Sequence, residues 1–258
     1  MNAQLTPIIE CRQVWKYFGQ TPVLEKLNLQ VAEREFVTLV GASGCGKTTF
    51  LKMLLGIEQP TRGSFLFAGQ PLPHEPGPER GIVFQRYSVF PHLNVLGNVM
   101  LGLELKQSRW LGRLWGAQRR TAVTEAQYWL DQVGLGAHAQ KYPHELSGGM
   151  QQRLALAQCL IMQPRLLLLD EPFGALDPGT KKEMHQLVLS LWREQSLSIL
   201  MITHDMSEAF ELGSRLWVFD KVRHDAQAPD AYGATLTYDL PIDAQAKARQ
   251  HIGDPVHE

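Results

Sequence analysis

The chain has few cysteines and almost no net charge, and each of these absences excludes a class of protein. Its 258 residues include three cysteines and carry a net charge of -1 at pH 7. Cysteines as far apart as Cys11, Cys45 and Cys159 do not form a disulfide framework and suit a reducing compartment. A nearly neutral chain has no general electrostatic attraction for nucleic acid. We therefore expect a cytoplasmic protein with no nucleic-acid partner.

Long apolar runs are also missing. No stretch reaches the roughly 18 apolar residues that span a bilayer, and residues 1–10 lack the basic segment and apolar run of a secretory signal. We expect that the chain neither spans a membrane nor is secreted. Its composition, 44% hydrophobic and 20% charged, is that of an ordinary globular protein, and its length predicts one folded unit with a sizeable core.

The pattern of apolar residues predicts an α/β fold. Runs rich in β-branched residues and leucine at 23–31 and 36–40 are typical of strands. Two continuous apolar runs, at 166–169 and 199–202, are separated by a helical stretch at about 180–195. That order is typical of buried parallel strands joined by a crossover helix.

Two longer segments differ from this pattern. Residues 88–162 are mostly helical in their spacing and form a candidate inserted subdomain, which follows a proline-rich surface loop at 68–80. The tail, residues 222–258, contains one strand-like run at 234–238. The sequence indicates no function for this tail.

A glycine-rich loop follows the strand at 36–40 and precedes a predicted helix at 50–56. In the phosphate-loop pattern, small residues let backbone amides curl around a polyphosphate, and the next helix offers its N-terminal amides. Lys47 would then reach the β and γ phosphates, Thr48 would coordinate Mg²⁺, and Thr49 would add a hydroxyl. The alternative is a glycine-rich turn that only caps a helix. The loop sequence is Gly41-Ala42-Ser43-Gly44-Cys45-Gly46-Lys47-Thr48-Thr49.

Further motifs follow in order along the chain. A serine–glycine turn opens a helix, and its sequence is Leu146-Ser147-Gly148-Gly149-Met150-Gln151-Gln152. Next, Asp170 and Glu171 end an apolar strand, which suits Mg²⁺ on Asp170 and water activation by Glu171. An acidic turn without a catalytic role is the alternative. The last two motifs are Gly174-Ala175-Leu176-Asp177 and Ile202-Thr203-His204-Asp205.

With these motifs in this order, residues 8–220 resemble the ATPase subunits of ABC transporters. The resemblance implies a P-loop NTPase (RecA-like) core with an antiparallel β subdomain and an inserted α-helical subdomain. It implies one ABC ATPase domain over 1–258. The nucleotide-binding core with its β subdomain would comprise 1–87 and 163–258, and the helical subdomain with the LSGGM motif would comprise 88–162.

The resemblance also implies a head-to-tail dimer that holds two MgATP. In that family, ATP on the phosphate loop of one subunit is closed over by the serine–glycine turn of the other. Ser147, Gly148 and Gly149 would thus bind the γ phosphate across the interface, with a helix N-terminus as an anion clamp. The second ATPase subunit can be identical to this chain or a different one.

Several single residues gain roles from the same resemblance. Gln85 would contact Mg²⁺ and the attacking water, although a polar strand end is the alternative. His204 would hold the γ phosphate and pair with Glu171, although a lone histidine after a strand is often structural. Asp177 would organise the opposite site. Phe18 would stack on adenine, with its neighbour Tyr17 as the alternative.

The segment from Gln85 to Val95 resembles the part of bacterial importer ATPases that receives the coupling helix of the permease. The chain looks most similar to the nitrate, sulfonate and taurine importer branch, including relatives associated with urea carboxylase. This implies a peripheral ATPase on the cytoplasmic face of the inner membrane, partnered by permease subunits and indirectly by a solute-binding protein. The resemblance implies a small solute of the nitrate, sulfonate or taurine kind, or a small nitrogen compound. No residue of this sequence indicates which of them is transported.

The sequence leaves two other functions open. One is a soluble ABC ATPase that acts on nucleic acid or ribosomes, and the other is a regulatory partner that binds nucleotide without hydrolysis.

One segment, residues 106–120, is longer than is usual in the family. We expect an amphipathic helix there, which packs on its own protein or rests on a lipid surface. Its apolar face would hold Trp110, Leu111, Leu114 and Trp115.

Overall fold

The structure is a computed structural model that describes residues 7–85, 88–107, 113–223 and 231–242. The chain divides into two compact units. The first comprises Met1–Gly77 and Trp192–Glu258, and the second comprises Pro78–Leu191. The predicted helical subdomain at 88–162 lies within the second unit, and its predicted boundaries stay a prediction.

Strands and helices are mixed along the described residues, which confirms the α/β class. The strands are β1 (Ile9–Phe18), β2 (Thr21–Val31), β3 (Phe36–Gly41), β4 (Arg62–Phe67), β5 (Gln70–Pro71), β6 (Arg80–Val83), β7 (Leu166–Asp170), β8 (Ser198–Ile202), β9 (Arg215–Asp220) and β10 (Thr235–Pro241). The helices are α1 (Lys47–Leu55), α2 (Val95–Gln107), α3 (Gly116–Gln132), α4 (Gly148–Leu160), α5 (Pro178–Gln195) and α6 (Met206–Leu212), with short 3-10 helices at Gly136–His138 and Pro143–Glu145.

The first unit contains an antiparallel sheet in the order β2-β1-β4-β5. Burial alternates along β2, as expected of a strand with one face in the core. Strand β5 lies within the segment predicted to be a loop, because Ala68 and Gly69 take positive φ angles and turn the chain back onto β4.

The same unit contains parallel strands that end in the predicted phosphate loop and at His204. Strand β3 pairs in parallel with both β8 and β9, and β10 adds to β9 in the antiparallel direction. Phe50 of α1 packs beneath this sheet, with its ring centroid 5.4 Å from that of Phe219 and 6.5 Å from that of Trp217. Both β3 and β8 are buried throughout except at Gly41, as the continuous apolar runs predict.

In the second unit, β6 and β7 pair in parallel, and helices α2, α3 and α4 lie in contact with one another. The buried residues of β7 are the four leucines before Asp170. Helix α4 contributes buried leucines and alanines to this core, including Leu154, Leu156 and Leu160.

The expected amphipathic helix over 106–120 is wrong in part. Residues 108–112, which include Trp110 and Leu111, lie outside the described residues. Helix α2 ends at Gln107, and Trp115 has an extended backbone before α3 begins. Leu114 is buried whereas the Trp115 side chain is 71% exposed, so the two do not share an apolar face. Gly116, with a φ angle of 58°, directly follows Trp115 and begins α3.

Candidate nucleotide site

The predicted phosphate loop lies where β3 ends and α1 begins. Gly44 and Gly46 have φ angles of 77° and 88°, in the left-handed region that glycine adopts without steric cost. The loop ends at Gly46, the residue before α1, so the first-turn N–H groups that lack a helical partner follow it directly. The first turn of α1 contains no acidic residue. The loop therefore offers backbone donors beside a first helical turn that carries no acidic side chain, which favours an anion.

Two glycines of this loop have no room for a side chain. A Cβ atom at Gly41 would contact the carbonyl oxygen of Phe219. A Cβ atom at Gly46 would lie 2.8 Å from Leu24 Cδ2 and 2.9 Å from Val23 Cγ1. The shape of the loop is therefore fixed by close packing against β9 and β2.

Lys47 is held within the loop by its own backbone. Its Nζ donates hydrogen bonds to the carbonyl oxygens of Gly41, at 2.7 Å, and Ala42, at 2.9 Å. The side chain is 8% exposed. A positive charge is thus positioned inside the loop whose amides would receive a polyphosphate.

The other loop residues differ in exposure. Ala42, Ser43 and Gly44 are exposed, as is Thr48, and Thr49 is half-buried. Cys45 is buried, and burial raises the pKa of its thiol, although the charge of Lys47 acts in the opposite direction. The exposed residues form the rim that a ligand would meet first.

The two aromatic candidates for adenine stacking have different surroundings. The Phe18 side chain is 49% exposed at the end of β1, and Lys16 Nζ lies 4.8 Å from its ring centroid. Tyr17 is half-buried and stacks on Trp15, with ring centroids 6.2 Å apart. One ring is thus accessible and the other is already stacked, which favours Phe18.

His204 lies at the same edge of the sheet as the phosphate loop. Leu39 of β3 is paired with Ile202 of β8, and the two strands run in parallel. Gly41 and His204 each follow their paired residue by two positions, so the structure brings them to the same strand ends. The His204 side chain is exposed.

The backbone on either side of His204 is fixed by a buried network that the sequence did not reveal. Thr203 Oγ1 donates to Glu208 Oε2 at 2.5 Å and accepts from the Asp205 N–H at 3.0 Å. Asp205 Oδ1 in turn accepts from the Ser207 N–H at 2.8 Å and caps α6. The only hint of this arrangement in the sequence is that Thr203 stands two residues before Asp205, which is a residue type that commonly caps a helix.

In the second unit, Gln85 and the two carboxylates lie at one edge. Strand β6 pairs in parallel with β7, and Val83 is opposite Leu169. Gln85 and Glu171 each lie two residues after this pair, so both are at the same edge of the two strands. Gln85 is exposed, whereas Asp170 and Glu171 are half-buried. The predicted coupling segment after Gln85 includes residues 86–87, which lie outside the described residues.

Glu171 has an unusual backbone conformation. Its φ angle is 46°, in the left-handed region that costs a non-glycine residue about 1 kcal/mol or more. Pro172 disfavours the right-handed helical region for the residue before it. The Glu171 carbonyl oxygen accepts a hydrogen bond from the Gly174 N–H at 3.4 Å. Such strain persists only where the surroundings fix the backbone.

The serine–glycine turn, residues 147–149, begins α4 as predicted. Ser147 caps the helix, and its Oγ accepts from the Met150 N–H at 3.3 Å. Ser147 and Gly148 are exposed, and a Cβ atom at Gly148 would meet only open space. Gly149 is buried, and a Cβ atom there would contact the methyl group of Thr180. The exposed part of the turn is free to receive an anion.

Asp177 caps the start of α5 in the same unit. Its Oδ1 accepts a hydrogen bond from the Thr180 N–H at 3.1 Å. The hydroxyl of Thr180, and then its backbone N–H, lower the pKa of the Asp177 carboxyl. Asp177 is thus an exposed, charged cap beside the serine–glycine turn, which packs on Thr180 through Gly149.

Sequence reasoning gave no role to Gln152, one turn after Ser147. Its side chain is fully buried, and Nε2 donates a hydrogen bond to the carbonyl oxygen of Pro172. The partner is 20 residues away along the chain. A glutamine in a helix carries no signal of such a long-range bond.

Each of the two units contains oxygen donors of the kind that Mg²⁺ takes in nucleotide sites. Thr48 offers a hydroxyl, Gln85 an amide oxygen and Asp170 a carboxylate. Mg²⁺ in nucleotide sites commonly takes one or two carboxylates, and phosphate oxygens and water complete its shell. Within the described residues, no group of three or more histidine, cysteine, aspartate and glutamate side chains is placed to hold a metal alone. The first unit contains Thr48 and the second contains Gln85 and Asp170.

Comparison with known proteins agrees with these motifs. The family model described as ABC transporter matches residues 24–174. The nitrate import ATP-binding protein NrtD of Synechocystis is 41% identical over 88% of this chain and 79% of its own length. The aliphatic sulfonates import ATP-binding protein SsuB of Pseudomonas putida is 42% identical over 91% of this chain and 77% of its own length. The chain spans only 54% to 59% of several spermidine/putrescine import ATP-binding proteins that it also matches.

A solved structure also shares the fold. The ATP-binding cassette MJ0796, determined as a dimer in a post-hydrolysis state with ADP and Pi, superimposes with a TM-score of 0.72 at 26% identity. The match covers 92% of this chain and 99% of that protein. This confirms the P-loop NTPase fold. Among the described residues, no helix is both long and apolar enough to cross a bilayer.

Proposed function

Since the chain belongs to the family of ABC transporter ATP-binding subunits, we propose that two copies form a head-to-tail dimer with two MgATP between them. The chain is an importer-type subunit that binds ATP with Mg²⁺ and hydrolyses it to drive transport. In the proposed dimer, the phosphate loop of one subunit holds each nucleotide, and the serine–glycine turn of its partner closes over it. A second copy of this chain is sufficient, because every motif is complete.

The proposed roles follow the placement of each side chain. The fixed charge of Lys47 and the loop amides would neutralise the β and γ phosphates. Phe18 would stack on adenine and His204 would hold the γ phosphate. Mg²⁺, held by Thr48, Gln85 and Asp170, would supply further positive charge on the phosphate oxygens.

Glu171 carries the proposal for hydrolysis. It stands at the carboxyl end of β7, next to the proposed magnesium ligand Asp170 and at the same strand edge as Gln85. A carboxylate in this position can accept a proton from water and orient it for in-line attack. The strained backbone at Glu171 supports a functional constraint, because strain of this kind concentrates at functional sites.

The experiment compares ATP hydrolysis by the wild type, Glu171→Gln and the control Glu194→Gln. Glu194 is an exposed carboxylate on α5. We expect Glu171→Gln to bind MgATP normally but lose turnover, with the control unchanged. Normal hydrolysis by Glu171→Gln would remove Glu171 from the mechanism. A wild type that binds ATP without hydrolysis would instead support a regulatory nucleotide-binding partner.

We also propose that a groove in the second unit receives the permease. The groove has a volume of about 310 Å³ and includes Phe90 of the predicted coupling segment. Its walls are mostly apolar and come from β6, α2 and α4; they include Ile82, Phe84, Leu101 and Leu105. An amphipathic helix would bury its apolar side chains there. We expect Leu101→Asp to keep the basal ATPase activity but to lose stimulation by the reconstituted permease, and unchanged stimulation would contradict this site.

The proposed solute is small and of the nitrate or sulfonate kind, since the relatives named above import nitrate and aliphatic sulfonates. The permease and a solute-binding protein would select it. The subunit would then work on the cytoplasmic face of the inner membrane, bound to the permease. Growth of a deletion strain on nitrate as nitrogen source, compared with taurine as sulfur source, separates these solutes.

A further inference from the structure

Helix α4 is joined at three points to the segment that carries Glu171. Gln152 Nε2 donates to the carbonyl oxygen of Pro172, and Gly149 packs against Thr180. Arg153 Nη2 lies 3.0 Å from Glu183 Oε2 on α5. All of these residues belong to the second unit.

The Gln152 contact is the one closest to the carboxylate. Its side chain is fully buried, and among the described residues its Oε1 has no hydrogen-bond partner. A buried amide oxygen without a partner is costly. The side chain keeps this orientation because the alternative would set two oxygens, Oε1 and that of Pro172, against each other.

Pro172 directly follows Glu171, so a bond to its carbonyl restrains the Glu171 backbone. The φ angle of Glu171, 46°, belongs to a conformation that a glutamate leaves unless its neighbours hold it. The Gly174 N–H bond to the Glu171 carbonyl, at 3.4 Å, is long. The Gln152 bond is buried, where a low local dielectric strengthens a hydrogen bond.

We propose that Gln152 is a positioning residue for Glu171, which it holds through Pro172 in the conformation that orients water for attack. This inference rests on the proposed role of Glu171. It has a structural consequence for the site as a whole. About one turn of α4 separates Gln152 from the serine–glycine turn, so α4 would connect the clamp for the partner's nucleotide to the segment that carries the carboxylate for the subunit's own nucleotide.

The test measures kcat and KM for ATP in Gln152→Met, which keeps the length and bulk of the side chain but removes its N–H donor. Gln127→Met is the matched control, because Gln127 lies on α3 of the same unit, outside the motifs, and its Nε2 bonds to Asp131 Oδ1 at 3.0 Å. We expect kcat of Gln152→Met to fall by about ten- to a hundredfold, the usual effect of a misplaced catalytic group. KM and the stabilisation by MgATP stay as in the wild type, and Gln127→Met keeps its kcat.

Gln152→Leu, which also lacks the N–H donor and brings no charge into this buried position, replaces the methionine variant if that variant does not fold. A wild-type kcat in the folded variant would overturn the proposal. So would a loss of kcat matched by a rise in KM and a loss of MgATP stabilisation, since that pattern indicates a general structural role. Glu171→Gln is measured alongside. If it were active, the proposed function would fail too, whereas an inactive Glu171→Gln with an active Gln152→Met would overturn only the positioning role.

Discussion

Lys47 Nζ lies 2.7 Å from the carbonyl oxygen of Gly41, the first glycine of its own loop. The second bond, to the Ala42 carbonyl, closes the loop around the ammonium group. The charge is thus positioned by the protein itself, and the ordering of this side chain is complete before a nucleotide arrives. Preorganisation of this kind strengthens binding because less conformational freedom is lost.

Replacement of Lys47 by alanine should weaken MgATP binding. A hydrogen bond to a charged group contributes about 1.5–3 kcal/mol, so the Kd for MgATP should rise at least about tenfold. Isothermal titration calorimetry measures this. Lys52→Ala is the control, because Lys52 is an exposed lysine on the same helix. An equal rise in the Kd for MgATP in both variants would show that the lost affinity comes from a change in α1 rather than from removal of the loop charge.

The Cys45 thiol should react slowly at neutral pH and faster in base. Burial raises its pKa above the ordinary thiol value of 9.0, and the thiolate is the reactive form. Its alkylation by iodoacetamide, followed by mass spectrometry, should accelerate as the pH rises past 9, and MgATP should block it. Fast alkylation of Cys45 at pH 7 would contradict the burial of its thiol, and alkylation that MgATP does not slow would contradict its position in a nucleotide-binding loop. Cys45→Ala provides the control for inhibition by the reagent.

Arg223 and Glu25 should contribute to stability beside the phosphate loop. Arg223 Nη2 pairs with Glu25 Oε2, and the Arg223 guanidinium lies 4.3 Å from the ring centroid of Tyr232. The Arg223 side chain is 57% exposed and that of Glu25 is 9% exposed. We expect Arg223→Ala to lower the free energy of unfolding by about 0.5–1 kcal/mol in urea titrations.

The matched control for this pair is Arg12→Ala. Arg12 also forms an ion pair, with Glu10 Oε1 at 2.8 Å, and is about as exposed as Arg223, but its partner is only two residues away, so the pair joins no distant parts of the chain. We therefore expect little change from Arg12→Ala. If both variants lowered the free energy of unfolding equally, the Arg223–Glu25 pair would stabilise the protein no more than the Arg12–Glu10 pair does.

The Asp177 cap should make stability depend on pH in the acid range. Its folded pKa is lowered by Thr180. A group with a lowered folded pKa stabilises the protein above its unfolded pKa, near 4, and this stabilisation is lost as the pH falls through the folded pKa. The melting temperature of the wild type should thus fall more steeply below pH 4 than that of Asp177→Asn, which keeps an uncharged cap. Parallel curves would contradict the assignment.

Several strands and the loops at their ends could be predicted because their signals are local. The apolar run before Gly41 and the four leucines before Asp170 form strands with both faces buried. Such strands are recognised in a sequence as short continuous apolar runs. The same holds for the Ser147 cap, which is decided within four residues. Positions at the ends of parallel strands then bring Gln85 and Glu171 to one edge without further information.

Long-range contacts could not be predicted in this way. The bond from Gln152 to Pro172 depends on how α4 packs after folding, and no periodicity encodes it. The prediction that Leu114 and Trp115 share a helical face failed for a local reason, since both residues precede α3 and Trp115 has an extended backbone. The interpretation of Trp110 and Leu111 stays a prediction.

Whether the nucleotide site is shared between subunits is tested most directly by mixing two inactive variants. Lys47→Ala removes the phosphate-loop charge, and Ser147→Arg blocks the serine–glycine turn. In a head-to-tail dimer, the mixed pair retains one site with both Lys47 and Ser147 intact. We expect each variant alone to be inactive and the mixture to recover ATP hydrolysis. A mixture as inactive as its parts, or a Ser147→Arg subunit that is fully active alone, would contradict the shared site.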